Sequence, residues 1–268
     1  MLEILSYPFF QKALAAVALI SVCSAVLGTY VITRRMVALS GGITHACFGG
    51  LGLGYFLGIS PILTAGVFAV GSSAAVEWMA RRLSIREDSA IAVVWALGMA
   101  AGVLFVFLTP GYVPELNAFL FGNVLTVSNS DLWAFTIYAA LLLGFFFMFR
   151  SRIVACAFDS DFARVAGLPV NFINYAMTAL VAVGIVLTIR VAGIMLLMSV
   201  LSLPMMCAET FSSRFMPIVR RSIVISLVCS IGGLMASAMV DVPASALIVL
   251  LMGTFYIGAR IIAAVRQK

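Results

Sequence analysis

Apolar stretches separated by short polar or charged segments follow one another along nearly the whole chain. Because a helix needs about 20 mainly apolar residues to cross a bilayer, the pattern predicts about nine spans, within a range of about eight to ten. The predicted spans are 12–32, 38–58, 61–80, 89–109, 131–149, 171–189, 192–211, 222–240 and 243–263. The apolar segment 115–127 has only 13 residues and predicts a re-entrant or interfacial helix. The predicted fold class is all-α, a polytopic transmembrane helical bundle.

The charged residues between the spans predict how the chain is oriented. If the N-terminus lies outside, all of the 16 basic residues except Lys12 and Arg190 fall in inward loops. The inward residues are Arg34, Arg35, Arg81, Arg82, Arg86, Arg150, Arg152, Arg164, Arg214, Arg220, Arg221, Arg260, Arg266 and Lys268. The positive-inside rule favours this arrangement, with the C-terminus in the cytoplasm. We expect one transmembrane domain over 1–268, with its largest inward loop at 150–170.

The composition supports a protein that lies mostly in lipid. The chain is 64% hydrophobic and 10% charged, whereas a soluble domain is about 45–50% apolar and about 25% charged. The net charge of +6 follows the predicted topology and does not cluster on a soluble face. It therefore does not indicate nucleic acid as a partner.

Several enzyme classes are excluded by the residues present. Lys12 and Lys268 are the only lysines, and neither ends a glycine-rich phosphate loop, which excludes P-loop nucleotide hydrolysis. The single histidine excludes an H-E-x-x-H zinc protease, and no G-x-S-x-G motif occurs. The five cysteines include no C-x-x-C pair, and we interpret them as reduced and structural. These observations favour a chain that moves a solute across the bilayer and is not an enzyme.

Glycines recur every fourth residue along the second predicted span. The recurring small residues are Gly42, Ala46, Gly50, Gly54 and Gly58. Small residues at this spacing let helices approach closely in a membrane, where van der Waals contact drives their association. We predict close helix packing at the four glycines, either inside the chain or at a subunit contact.

His45 is the only histidine and lies in this same span. It follows Arg35 by 10 residues, which corresponds to about 15 Å of helix and places it near the middle of the membrane. Ionisable groups at that depth usually face a cavity or a partner, and neutral imidazole is a common transition-metal ligand. A buried histidine bonded to a neighbouring carbonyl or hydroxyl group explains the position equally well. We place Thr44 and Cys47 beside His45 on a candidate ion pathway, with His45 as the candidate metal contact.

Asp241 lies at the predicted outer end of a span, two residues before Pro243. Aspartate is common in turns of this kind. An acidic group at an entrance also concentrates cations. Both interpretations stay open, and we include Asp241 in the candidate ion pathway.

The inward segment 158–169, FDSDFARVAGLP, predicts a short helix. Asp159 or Ser160 can cap its N-terminus, and Gly167 followed by Pro169 ends it. Its apolar side consists of Phe162, Ala163, Val165 and Ala166. Such a helix can dock into a groove of a partner protein. The alternative is an interfacial helix that lies on lipid.

Five stretches together resemble the permease subunits of bacterial ABC importers for zinc, manganese and iron. They are YPFFQKALAA (7–16), ITHACFGGLGLGYFLG (43–58), AFDSDFARVAGLPV (157–170), RVAGIMLLMSVLSLPMMCA (190–208) and DVPASALIVLL (241–251). The resemblance implies a homodimeric permease in the bacterial cytoplasmic (inner) membrane, a dimer of cytosolic ABC ATPase subunits that binds ATP, and an extracytoplasmic metal-binding protein. The divalent metal ion is then cargo, and no cofactor is bound permanently. The coupling helix implied by the resemblance includes Asp159, Asp161, Phe162, Ala163, Arg164 and Gly167.

The chain departs from this family at one position of the second span. The family commonly has Gly-Asp-Ala-Leu-Ser-His-Ala there, with the aspartate and histidine as candidate ion contacts. His45 matches the histidine, but Gly41 occupies the aspartate position. Another residue completes the site, or His45 of each subunit holds the ion, or the metal passes with little binding. Loss of the carboxylate favours a softer ion that accepts imidazole.

Three other functions compete with the one that the resemblance implies. A permease of similar architecture for an iron chelate or a cobalamin-like cofactor is usually longer, with about ten spans. An ion-coupled secondary transporter needs carboxylates in mid-span, and none is predicted there. A structural membrane protein leaves the docking segment 158–169 without a purpose.

Overall fold

The computed structural model describes residues 6–110 and 122–266. Within these residues the structure consists of helices and connecting turns, without strands. The helices are α1 (Pro8–Thr33), α2 (Val37–Leu57), α3 (Pro61–Arg82), α4 (Glu87–Leu108), α5 (Asn129–Phe158), α6 (Ser160–Val165), α7 (Val170–Glu209), α8 (Phe215–Val240) and α9 (Ala244–Arg266). All of them except α6 are long and apolar enough to cross a membrane. The predicted all-α transmembrane fold is confirmed.

Helix α7 is 40 residues long and contains a break at Gly193, where φ is 81° and ψ is 168°. An unbroken helix of that length would extend about 60 Å, roughly twice the hydrocarbon thickness of a bilayer. Glycine adopts this backbone conformation without the steric cost that a side chain brings. The break falls just beyond the predicted boundary between spans 171–189 and 192–211. The total of nine spans and the outward N-terminus stay predictions.

The structure describes two of the predicted connecting segments, 150–170 in full and 115–127 in part. Helix α5 has non-helical backbone angles at Phe149, where φ is −107° and ψ is 15°, and then continues to Phe158. Much of the predicted loop 150–170 is therefore helical. Of the predicted segment 115–127, residues 115–121 lie outside the described residues. Its described end contains a 3₁₀ turn, Val124–Thr126, where the Asn123 side chain accepts a hydrogen bond from the Leu125 N–H at 3.0 Å.

The chain forms two compact units. The first unit contains α1, α5, α8, α9 and the part of α7 from Leu187 onward. Within it, α1 packs against α5 and α8, and α8 packs against α9. Gly28 on α1 lies so close to α7 that an added Cβ atom would collide with the carbonyl oxygen of Leu201. The largest fully buried side chains of this unit include Tyr30, Phe10 and Phe146.

The second unit contains α2, α3, α4, α6 and the part of α7 up to Val186. Within it, α2 packs against both α3 and α4. The contact with α4 joins backbone to backbone: a Cβ atom added to Gly98 would be 2.5 Å from Ala46 Cα. One turn further along, a Cβ atom on Gly102 would be 2.5 Å from the carbonyl oxygen of Phe48. Only glycine fits at these two positions of α4 without displacing α2.

The glycines predicted to pack closely on α2 contact helices of the same chain. A Cβ atom on Gly42 would be 2.6 Å from Ile91 Cγ2 on α4. One on Gly50 would be 2.5 Å from the Thr64 carbonyl oxygen, and one on Gly54 2.6 Å from Pro61 Cα, both on α3. These contacts account for the spacing of the three residues without a second subunit.

Gly58 does not pack closely within the chain, and its packing against a second subunit stays a prediction. Gly58 is the C-cap of α2 and has a φ of 66°, in the left-handed region. An added Cβ atom would have no neighbour within 4 Å. Glycine is favoured there because it ends the helix in a conformation that side chains disfavour.

The Gly102→Ala substitution is expected to lower thermal stability. The added methyl group collides with the α2 backbone, and overpacking of this kind costs about 1–3 kcal/mol. Gly66→Ala on α3 is the matched control, because a Cβ atom there meets nothing within 4 Å. That control should be neutral or stabilising by up to about 1 kcal/mol. Thermal unfolding in detergent, followed by fluorescence-detected size exclusion, measures both; equal midpoints would refute the backbone contact.

An ion pair joins the first turn of α5 to α7 within the first unit. Asp131 pairs with Arg190, and their side chains are 14% and 39% exposed. Asp131 Oδ2 also accepts hydrogen bonds from the Ser128 hydroxyl at 2.6 Å and the Ser128 N–H at 3.2 Å. The Asp131 N–H donates to the Ser128 hydroxyl at 3.2 Å, which completes a capping box. Arg190 therefore has a charged partner within the protein.

Asp131→Ala should destabilise the protein more than Arg190→Ala. The aspartate serves both the ion pair and the helix cap, and bonds to a charged group contribute about 1.5–3 kcal/mol each when buried. Loss of the partly exposed Arg190 removes only the ion pair. The same thermal assay in detergent ranks the two variants; a larger loss for Arg190→Ala would contradict the capping role.

Candidate functional site

His45 lies on α2 with its imidazole stacked on the indole of Trp95 from α4. The ring centroids are 4.5 Å apart and the planes differ by 2°. Phe48, three residues along α2, lies nearly parallel at 6.4 Å with an angle of 15°. His45 Nδ1 is buried and has no hydrogen-bond partner in the described part of the chain. The structure thus leaves a nitrogen of the only histidine unsatisfied, which differs from the bonded buried histidine that the sequence left open.

The α2–α4 contact explains why these two rings meet. Ala46 touches Gly98, and each of these residues is close in sequence to one of the stacked rings. Helical residues three apart lie on neighbouring positions of one face, so the close approach at Gly98 brings Trp95 to the level of His45. The indole is held in turn by Met99, whose Sδ accepts a hydrogen bond from Trp95 Nε1 at 3.0 Å.

The neighbours of His45 on α2 supply few further ligands. Thr44 is buried, and its hydroxyl donates to the Ser40 carbonyl oxygen at 2.6 Å. Cys47 is a buried free thiol. Gly41, in the position where the resembling family has aspartate, is also buried. Among the described residues, no group of three or more His, Cys, Asp or Glu side chains could hold a metal ion.

Asp241 is the C-cap of α8 and belongs to the first unit, whereas His45 belongs to the second. Its backbone is in the left-handed region, with φ 57° and ψ 47°. The Asp241 N–H donates to the Ser237 carbonyl oxygen at 3.0 Å, and the Ser237 hydroxyl donates to the Val242 carbonyl oxygen at 2.5 Å. Aspartate suits this turn because it adopts the left-handed conformation more readily than most residues with a side chain. Its exposed carboxylate stays available for the predicted role at an entrance.

The short helix expected within 158–169 is α6. Asp159 Oδ1 accepts hydrogen bonds from the N–H groups of Asp161 at 3.1 Å and Phe162 at 2.8 Å. Gly167, with a φ of 75°, follows the helix and ends it. Asp161 also pairs with Arg164 at 3.8 Å on the exposed side.

Helix α6 presents large apolar side chains outward. Phe162 is 68% exposed and Val165 is 88% exposed, whereas Ala163 is buried. Ala163 thus anchors the helix within the second unit, and the other two form an apolar surface with no cover from the described residues. Such a surface fits either a partner groove or lipid.

The interactions of two residues, Trp95 and Asp131, were not identified from the sequence. In the sequence, Trp95 resembles any other apolar residue of a span, because its contact with His45 depends on how α2 and α4 pack together. Asp131 lies at the start of a predicted span. The only sign of a capping role in the sequence is Ser128, three residues before it. Their partners, His45 and Arg190, are distant in the chain, so no local pattern links either pair.

Comparison with known proteins gives consistent matches over nearly the whole chain. The ABC 3 transport family matches residues 6–263. A probable metal transport system membrane protein of Chlamydia pneumoniae is 35% identical over 255 residues, which are 93% of this chain and 86% of the relative. The manganese transport system membrane protein MntC of Halalkalibacterium halodurans is 28% identical and covers 95% of this chain and 87% of its own length.

A solved structure shares the fold. PsaBC from Streptococcus pneumoniae, in complex with Fab, matches with a TM-score of 0.85 and 24% identity, over 96% of this chain and 93% of that chain. The permease resemblance drawn from the sequence is confirmed. From these matches and from its helical transmembrane fold, the chain belongs to the ABC 3 transport family.

Proposed function

We propose that the chain is the membrane-spanning permease subunit of an ATP-driven importer for a divalent transition metal ion, namely zinc, manganese or iron. The observation that carries this proposal is the family match over residues 6–263. Relatives named for metal or manganese transport, aligned with 93% and 95% of the chain, support the kind of cargo. The chain itself is not an enzyme, because ATP is hydrolysed by a separate partner.

His45 contacts the ion transiently in this proposal. An imidazole on a spanning helix supports such a role, because an ionisable group in a membrane interior is costly unless it faces a cavity, a partner or a ligand. The small number of other ligands suits a pathway, where binding must be weak enough for the ion to leave. Thr44 and Cys47 lie on the same turn of α2, and Asp241 attracts cations at the outer entrance.

Helix α6 couples this movement to ATP. Its exposed Phe162 and Val165 insert into grooves of a cytosolic ABC ATPase dimer, and the Asp159 cap keeps the helix rigid. When ATP closes that dimer, α6 moves with it and switches the permease between inward- and outward-facing states. A second copy of the chain completes the pathway, and an extracytoplasmic metal-binding protein delivers the ion. We place the chain in the bacterial cytoplasmic membrane, and the distribution of basic residues supports an orientation with the coupling helix inside.

His45→Ala should reduce metal uptake by about tenfold or more, because loss of an ion contact or its support costs about 10–100-fold in comparable sites. Cellular zinc, manganese and iron are measured by elemental analysis in a strain that depends on this transporter. Thr136→Val is the control, since that exposed hydroxyl donates to the Leu132 carbonyl oxygen of its own helix. Wild-type accumulation in the His45→Ala strain would contradict the proposed ion contact.

Phe162→Ala should weaken binding of the partner ATPase by about tenfold or more, as expected for a buried aromatic anchor at an interface. Phe107→Ala is the matched control, because Phe107 is 89% exposed but lies in the spanning helix α4. Binding of purified ATPase to immobilised permease gives the two dissociation constants. If α6 lies on lipid instead, both variants will retain the ATPase equally.

A further inference from the structure

We propose that Trp95 is the positioning residue for His45: its indole face, and not a hydrogen bond, holds the imidazole in the orientation that meets the transported ion. This inference rests on the proposed function of His45. It concerns a residue that the sequence did not single out, on a different helix from the histidine. The geometry that carries it is the near-parallel stack of the two rings at 4.5 Å.

The stack restricts χ2 of His45, one of the two torsions on which the direction of a ring nitrogen depends. Rotation about χ2 would tilt the imidazole away from its parallel alignment with the indole, where the angle between the planes is now 2°. Aromatic rings at this separation attract each other beyond the gain from burial alone. The Phe48 ring lies nearly parallel to the imidazole, with centroids 6.4 Å apart, and further restricts it.

The usual means of orienting a ligand histidine is not used at Nδ1. Histidines that bind metals almost always donate their second N–H group to a carboxylate, a carbonyl group or water. Here Nδ1 has no partner among the described residues, and Gly41 provides no carboxylate one turn earlier. The aromatic contact with Trp95 is therefore the interaction available to set the ring.

Trp95 is itself held from two directions, as a positioning residue must be. Its Nε1–H donates to Met99 Sδ at 3.0 Å, which fixes the indole along α4. The backbone contact between Gly98 and Ala46 fixes the separation of the two helices one turn away. Neither anchor involves His45, so the indole is in place whether or not an ion is present.

The indole also favours the ion-bound state of the imidazole. An aromatic face attracts positive charge within about 6 Å, and tryptophan does so best. Charge transferred onto the imidazole from a bound cation is therefore stabilised by the ring beneath it. Loss of the indole should weaken binding of the ion more than it slows the conformational cycle, because the switch between states depends on other elements.

Metal uptake by the reconstituted importer, as a function of concentration, tests this directly. The probe is Mn²⁺ or Zn²⁺ alone, whichever the wild-type complex transports. Trp95→Leu should raise the apparent KM about tenfold, equivalent to about 1.4 kcal/mol, with little change in maximal rate. Trp95→Phe keeps an aromatic face and should restore a KM near that of the wild type. Trp78→Leu, at an exposed residue of α3, is the control.

An unchanged KM for Trp95→Leu, a failure of Trp95→Phe to restore it, or an equal effect of Trp78→Leu would each overturn the inference. If His45→Ala transports normally, the proposed ion contact fails instead. The two failures are therefore distinguishable, because normal transport by Trp95→Leu beside a loss in His45→Ala rejects only the role of Trp95.

Fluorescence gives a readout that does not depend on transport. The chain has three tryptophans, so replacing Trp78 and Trp133 by Phe leaves Trp95 as the only indole. In that background, His45→Leu should change the emission intensity of Trp95, because the stacked imidazole is removed. Identical emission with and without the imidazole would show that the rings do not stack in the purified protein, and would overturn the inference.

Discussion

The approach of α2 to α4 at backbone distance is the constraint on which the second unit depends. Lipid tails are as apolar as the side chains, so helices in a bilayer are held together by contact and not by exclusion from water. Gly98 and Gly102 on α4 remove the side chains that would keep the helices apart. The same principle applies to Gly50 and Gly54, which let α3 approach α2 from another side. A short stretch of α2 is thereby enclosed by two helices of its own chain.

This enclosure gives the only histidine its setting. The α2–α4 contact places Trp95 against His45, and Gly41 supplies no carboxylate to the ring, so we propose that stacking orients it. An ionisable ring enclosed in this way is costly unless it has a partner or a ligand, and the passing ion is the ligand that we propose. The glycine spacing and the histidine are thus parts of one arrangement, in which packing sets the position of the proposed ion contact.

Features that depend on residues close together in the sequence could be predicted. The spans, the end of α6 at Gly167 and its Asp159 cap all follow from local composition and turn chemistry. The rotation of one helix against another has no local signature, which is why Trp95 was missed. Gly58 shows a limit of periodicity: it continues a four-residue spacing, but within the chain its left-handed backbone makes it a helix end. Periodicity alone cannot separate a packing glycine from a capping one.

Pulsed electron paramagnetic resonance of bound Mn²⁺ is the most direct test of the central claim, that α2 presents His45 to the transported ion. Because the chain has one histidine, ¹⁵N-histidine labelling of this subunit alone, purified without a polyhistidine tag, assigns any coupled nitrogen to residue 45. The complex with unlabelled ATPase should show ¹⁵N hyperfine coupling to Mn²⁺ that disappears in His45→Gln. Mn²⁺ bound in a transport-competent complex with no ¹⁵N coupling would contradict the account.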